Sequence, residues 1–153
     1  MMTRFDFENT HITPIELFED LKDAMIDNNM MGLTAPQINY DYTVFAIGNP
    51  THPDSIIPVF NPRLVHRSPE TNLQKETHDG LHVDIRRSNE IRVRFQLLDG
   101  VIKTAKLEGL TARLFQREYD KIHGKKLKDI ATRFHIDRAK KNAKLAMRKE
   151  KNV

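Results

Sequence analysis

Glu118 sits between two cations in a segment that reads as one helix. From Leu114 to Gly124 the apolar residues Leu114, Phe115 and Ile122 recur at helical spacing, Tyr119 lies close to their face, and Gly124 can supply a left-handed cap. Arg117 and Lys121 are four residues apart, so they share a face with Glu118 beside them. Two histidines at that spacing could hold one metal ion, with the glutamate taking the proton of its bound water. Arginine has no lone pair to offer near neutral pH. Lysine ligates only when deprotonated, which is costly beside another cation, and a divalent ion would meet Coulomb repulsion instead of donors. The segment therefore predicts a small charged cluster. Its surplus positive charge either pairs internally or holds an anion such as a carboxylate, phosphate or chloride. Internal pairing is the expected outcome, because charges in such sites usually pair.

The chain has no cysteine, so thiolate ligands and disulfides are excluded. Seven histidines remain. His78 and His82 are four apart with Gly80 between them. On one strand they would point the same way but lie about 13 Å apart, too far to chelate. On a loop they could converge, and with His123 and Glu118 they form the one alternative ligand set. His11, His52, His66 and His135 read as ordinary loop or helix histidines.

The elements that must position these residues follow from local signals. Thr13-Pro14-Ile15-Glu16 opens a helix: Thr13 caps, Pro14 suits the first turn and Glu16 completes a capping box. Leu17, Phe18, Leu21, Ala24 and Met25 continue it, and Asn28 and Asn29 stop it. Tyr42–Ile47 reads as a strand and residues 49–54 as a loop. Ser68–Thr71 makes a turn, and Ile91–Phe95 alternates as a strand. Asp99-Gly100 is a tight hairpin turn with Val101–Leu107 returning. Beyond Gly124, residues 129–149 predict a second helix with a thin apolar stripe of Ile130, Phe134, Ile136, Ala139, Ala143 and Ala146.

Several stretches together resemble the peptide deformylases. Gly32-Leu33-Thr34-Ala35-Pro36-Gln37 matches the family's Gly-x-Gly-Leu-Ala-Ala-Pro-Gln motif, except that Met30 replaces the first glycine and Thr34 the first alanine. The Asn61-Pro62 step, the stretch Asp84–Phe95 and the frame Thr111–Asp120 are also similar to the family. The closing segment around Arg133–Lys140 resembles the short forms found in bacteriophages. The resemblance implies an α+β fold: antiparallel strands around a central helix at about 108–123, with a C-terminal helix. It implies one domain, with residues 1–128 as the deformylase-like body and 129–153 as a basic helix and tail of the same domain. Active relatives use Fe²⁺ or Zn²⁺ to remove the formyl group from the N-terminal methionine of nascent peptides. The resemblance carries Glu118 onto the catalytic glutamate, Gln37 onto the oxyanion donor, and Gly32 and Leu33 onto the substrate-binding stretch. It carries Arg117 and Lys121 onto the two histidine ligands. Counting back from Asp84 through Gly80-Leu81 places the Glu-Gly-Cys-Leu-Ser motif on Leu73–Thr77, so Lys75 takes the cysteine position. All three ligand positions are then cationic, so Lys75 is expected to join Arg117 and Lys121 in the charged cluster around Glu118, and no metal cofactor is expected. This points to a homologue with degenerate metal motifs that binds a nascent peptide N-terminus or the ribosome. The alternatives are a slow, unconventional deformylase and an interaction module that uses only the basic tail.

With 153 residues the chain is long enough for one domain with a real core. No run is apolar enough to span a membrane, and the first eight residues are too acidic for a signal peptide, so a cytoplasmic protein is expected. The net charge of +4 is unevenly spread. Residues 117–153 carry 13 Lys/Arg against 5 Asp/Glu, while residues 1–116 carry 12 against 16. A basic tail on an acidic body suits a polyanion at that end, or serves solubility.

Overall fold

The structure, a computed structural model, describes residues 2–152. Thr13 Oγ1 accepts the N–H of Glu16 at 3.1 Å and Pro14 fills the first turn, so helix α1 spans Pro14–Asp27. Only this half of the expected capping box forms. Asn28 closes the helix, its amide donating to the Ala24 carbonyl at 2.8 Å. Leu17, Phe18, Leu21 and Met25 form the buried face.

Seven strands follow: β1 (Gly32–Thr34), β2 (Val44–Ile47), β3 (Ile57–Arg67), β4 (Thr71–His78), β5 (Leu81–Ser88), β6 (Glu90–Gln96) and β7 (Ile102–Glu108). Five make an antiparallel sheet in the order β1-β2-β3-β6-β7, and β4-β5 form a separate hairpin. The hairpin turns at Asp79-Gly80, both with positive φ, so His78 and His82 lie on opposite strands and not along one. Asn61 sits at φ 50° and ties the N-terminus down. It accepts from Phe5 N–H at 2.8 Å and donates to the Phe5 carbonyl at 2.9 Å and to Gln96 at 2.7 Å.

Helix α2 (Gly109–Ile122) lies against the sheet. Its Ala112, Leu114, Phe115 and Ile122 pack with Phe45, Ile47, Val59, Ile91, Val93 and Phe95. Burying a side chain such as Phe115 contributes about 2–3 kcal/mol. The alternation expected for residues 91–95 is present: Ile91, Val93 and Phe95 face α2, and Arg92 and Arg94 face solvent. Gly124 closes the helix region at φ 70°. The resulting α+β architecture is the one the sequence implied.

The predicted helix at 129–149 is instead two helices, α3 (Leu127–Ile130) and α4 (Arg133–Lys151). Ala131 is extended, and Thr132 caps α4 by accepting the His135 N–H at 3.2 Å. A threonine at a cap competes with continuation of a helix, and here the cap wins. Ile136 and Ala139 join Val83, Ile85 and Ile130 in a small core, whereas Phe134 of the expected stripe is 67% exposed.

Candidate active site

Glu118 has no exposed surface. Lys121 Nζ donates to its Oε1 at 3.1 Å. Arg117 Nε stands 3.8 Å from Oε2, an ion pair too long for a hydrogen bond, so both atoms are buried without a hydrogen-bond partner among the described residues. The other end of the Arg117 guanidinium donates to the Thr77 carbonyl at 3.1 Å. Helix spacing therefore does what the sequence predicted, and the two cations close on the carboxylate between them.

Gly32 makes room for this arrangement. A Cβ there would lie 2.8 Å from Glu118 Cδ and 2.9 Å from Cγ. Gly32→Ala is expected to push the buried carboxylate off its seat and to cost about 1–3 kcal/mol by overpacking. A urea midpoint equal to wild type would show that the helix simply shifts aside. Leu33 is 4% exposed and belongs to the α1 core, so only its backbone can meet a ligand. That backbone lies on β1, an edge strand of the sheet.

Gln37 follows β1 in a short 3-10 turn, Ala35–Ile38. Its Oε1 accepts from Thr34 N–H and Thr34 Oγ1, both at 3.0 Å. The side-chain carbonyl is thus fixed locally, and the amide NH₂ has no protein acceptor among the described residues. Gln37, Met30, His78, Arg117 and Lys121 line a cavity of about 900 Å³, with Lys125, Lys126 and Lys128 also along it. Met30 therefore forms wall without closing the space, and Met31 packs with the α2 core.

Lys75 does not join the cluster. It pairs with Asp84 at 3.1 Å, and its side chain is 62% exposed. Strand alternation gives the reason: Lys75 and Thr77 share the outer face of β4, while Glu76 and His78 turn inward. The sequence missed what occupies that inner face. Glu76 takes two bonds from Arg87, at 2.6 and 2.9 Å, an ion pair with Arg113 at 3.1 Å, and a contact from His78 Nε2 at 2.9 Å. Arg87 also donates to Asp120 at 2.7 Å. Burial pushes the Glu76 carboxyl up, but the hydrogen bonds from His78 and Arg87 and the charges of Arg87 and Arg113 outweigh it and hold it at about 2. For Arg113 the balance falls the other way, and burial lowers its guanidinium from the usual range. No periodicity marks these residues, since Arg87 comes from β5 and Arg113 from α2.

The alternative histidine set is not brought together. His82 Nδ1 contacts Thr77 Oγ1 at 3.1 Å on the outer face, and His123 Nδ1 contacts the Tyr119 carbonyl at 2.8 Å. Among the described residues, no three His, Asp or Glu side chains are placed to hold a metal. The side chains at the helix positions are cations already engaged with Glu118. The donor set does not fit the iron or zinc of active deformylases.

A family model described as polypeptide deformylase matches residues 4–136. The peptide deformylase of Thermotoga neapolitana is 31% identical over 134 residues, which are 86% of this chain and 75% of that one. A peptide deformylase-like protein of Rhizobium meliloti is 33% identical over 114 residues, 71% of this chain and 64% of its own. Among solved structures, peptide deformylase from Thermotoga maritima superposes with a TM-score of 0.67 at 30% identity, over 75% of this chain and 78% of that one. The Plasmodium falciparum enzyme superposes with a TM-score of 0.82 at 18% identity, over 99% and 91%, a likeness of fold alone. With the family model spanning residues 4–136, nearly the whole body, the chain belongs to the polypeptide deformylase family.

Proposed function

We propose that this chain is a deformylase homologue that has exchanged metal chemistry for binding, a pseudoenzyme that meets nascent peptides at the ribosome. The observation that supports it most is the ion-paired Glu118. A carboxylate held by Lys121 and Arg117 is not free to take a proton from metal-bound water, and the positions that would hold the metal carry those same cations. The cavity and its Gln37 remain, so a peptide end can still enter.

The ribosomal part rests on α4. Arg133–Lys151 carries eight Lys/Arg against two Asp/Glu, and from Lys144 to its end every described residue is exposed. Such a helix suits a phosphate backbone. Truncating at residue 128 would uncover Val83 and Ile85, so charge variants are the cleaner probe.

The second reading is slow deformylation without the usual metal site, since Gln37, His78 and Lys121 line one cavity. One assay separates the two: hydrolysis of a formyl-methionyl peptide at high protein concentration with added Fe²⁺, Ni²⁺ or Zn²⁺, against a chelator control. No turnover above background is expected, with metal or with chelator. Turnover under either condition that disappears in Glu118→Ala would sink the proposal. For α4, Lys144→Gln/Arg148→Gln/Lys149→Gln/Lys151→Gln is expected to reduce co-sedimentation with ribosomes at least tenfold, and an unchanged pelleted fraction would argue against it.

A further inference from the structure

The solvent face of the large sheet carries an array of arginines that neither the deformylase site nor α4 explains. On β6, Arg92 and Arg94 are two residues apart and both exposed. Arg63 of β3 lies directly across from Arg94, and His66 of β3 directly across from Arg92. Arg4 extends the row, donating to Gln96 at 3.3 Å at the end of β6. On the other flank Thr104 lies across from Arg94 and Lys106 from Arg92. Lys106 is paired with Glu90 at 2.6 Å and Glu108 at 3.3 Å. Among the described residues, Arg63, Arg92 and Arg94 form no ion pair.

Residues directly opposite on antiparallel strands have their side chains about 5 Å apart, and like charges there are destabilising. Along β6 the repeat is about 7 Å. A folded sheet that sets Arg63 against Arg94 with no carboxylate between them therefore works against itself until an anion arrives. We infer that this face is a docking surface for the phosphate backbone of structured RNA. Arginine binds phosphate through a planar fork of donors, which suits this use better than lysine would. A protein partner would call for an apolar centre, whereas the apolar side chains here are Val65 and Ile102, on β3 and the edge strand β7. The exposed positions of β6 and β7 carry no aromatic ring on which a single-stranded base could stack, so recognition is through the backbone. The opposite face of the sheet packs on α2, so this surface lies away from the Glu118 cavity.

The test is fluorescence anisotropy of a labelled RNA hairpin titrated with the full chain at several salt concentrations. Arg63→Gln/Arg92→Gln/Arg94→Gln is expected to weaken binding more than tenfold at 0.1 M salt. The slope of log affinity against log salt should fall by about 2–3, one phosphate contact per lost arginine. The same variant should melt at, or about 2 °C above, the wild-type temperature, because its like charges are gone. Repeating the titration in the α4 charge variant separates this surface from the helix, since each set of substitutions then removes its own share of the slope. Wild-type affinity and slope in the arginine variant would overturn the inference. So would displacement of the hairpin by poly-glutamate at equal charge, which would make the partner an acidic polypeptide.

Discussion

Glu76→Ala is expected to destabilise the protein by about 3–5 kcal/mol, more than the overpacking of Gly32→Ala does. The residue is 7% exposed and stands between Arg87 and Arg113, which are also buried. Removing it leaves the Arg113 guanidinium without a counter-charge beside Arg87, which keeps only Asp120, because Arg113 otherwise reaches only carbonyl and amide oxygens such as Gln74 O at 2.9 Å and Asn72 Oδ1 at 3.0 Å. The same carboxylate links stability to pH. In the fold it is held at about 2, against an ordinary 4.5. A depressed carboxyl contributes fully above its unfolded value and loses that contribution as pH falls through the folded one, so the loss runs from about pH 4.5 down to about pH 2. The difference is worth about 3 kcal/mol. Urea denaturation of wild type and Glu76→Gln at pH 7, 4.5 and 3 measures it. The gap between the two should be widest at pH 7 and narrow by pH 3. Equal gaps at all three would mean that Glu76 is a spacer and not an anchor of the network.

Much of the scaffold was legible because it rests on local chemistry. Thr13, Pro14 and Asn28 bound α1 within sequence reach of one another, and the spacing of Leu114, Phe115 and Ile122 needs only helix geometry. The pairing of Glu118 with Lys121 and Arg117 was legible for the same reason. What was not legible depends on strand parity and on distant partners. Lys75 was assigned by counting residues toward a motif, but counting does not say which way a side chain faces. A hairpin turn at Asp79-Gly80 sends odd positions of β4 outward and even ones inward, and Glu76 finds Arg87 and Arg113 on two other elements. The split between α3 and α4 was hidden because Ile130 and Phe134 keep helical spacing across it. The arginine face is invisible in the sequence because its meaning lies in cross-strand register, and β3 is bulged where Arg63 and His66 fall.

Arg117→His/Lys121→His is expected to turn the cavity into a divalent metal site, with His78 as third ligand in place of the residue that counting had chosen. The strand geometry points to His78. It faces inward on β4, lines the same cavity as positions 117 and 121, and follows Thr77, whose carbonyl Arg117 already reaches. If Glu76 is the motif's glutamate, the cysteine position two residues on is 78 and not 75. His78 is also prepared for the role: Glu76 holds its Nε2 at 2.9 Å, which leaves Nδ1 for a metal and mimics the carboxylate that commonly orients a ligating histidine. The substitutions remove both cations and leave Glu118 as the neighbouring carboxylate. The variant should take up one Co²⁺ per chain with the strong visible bands of a four-coordinate site, where wild type takes up none. At a Zn²⁺ concentration of about 100 times its Kd, it should gain about 2.7 kcal/mol of stability. Adding His78→Ala should abolish uptake, and adding Lys75→Cys to that triple variant should not restore it, because position 75 faces solvent and Asp84. Restoration by Lys75→Cys would return the third ligand to the position counted from the sequence and would mean that β4 can slip by one residue. Uptake that ignores His78 altogether would place the metal on Glu118 and the two new histidines alone.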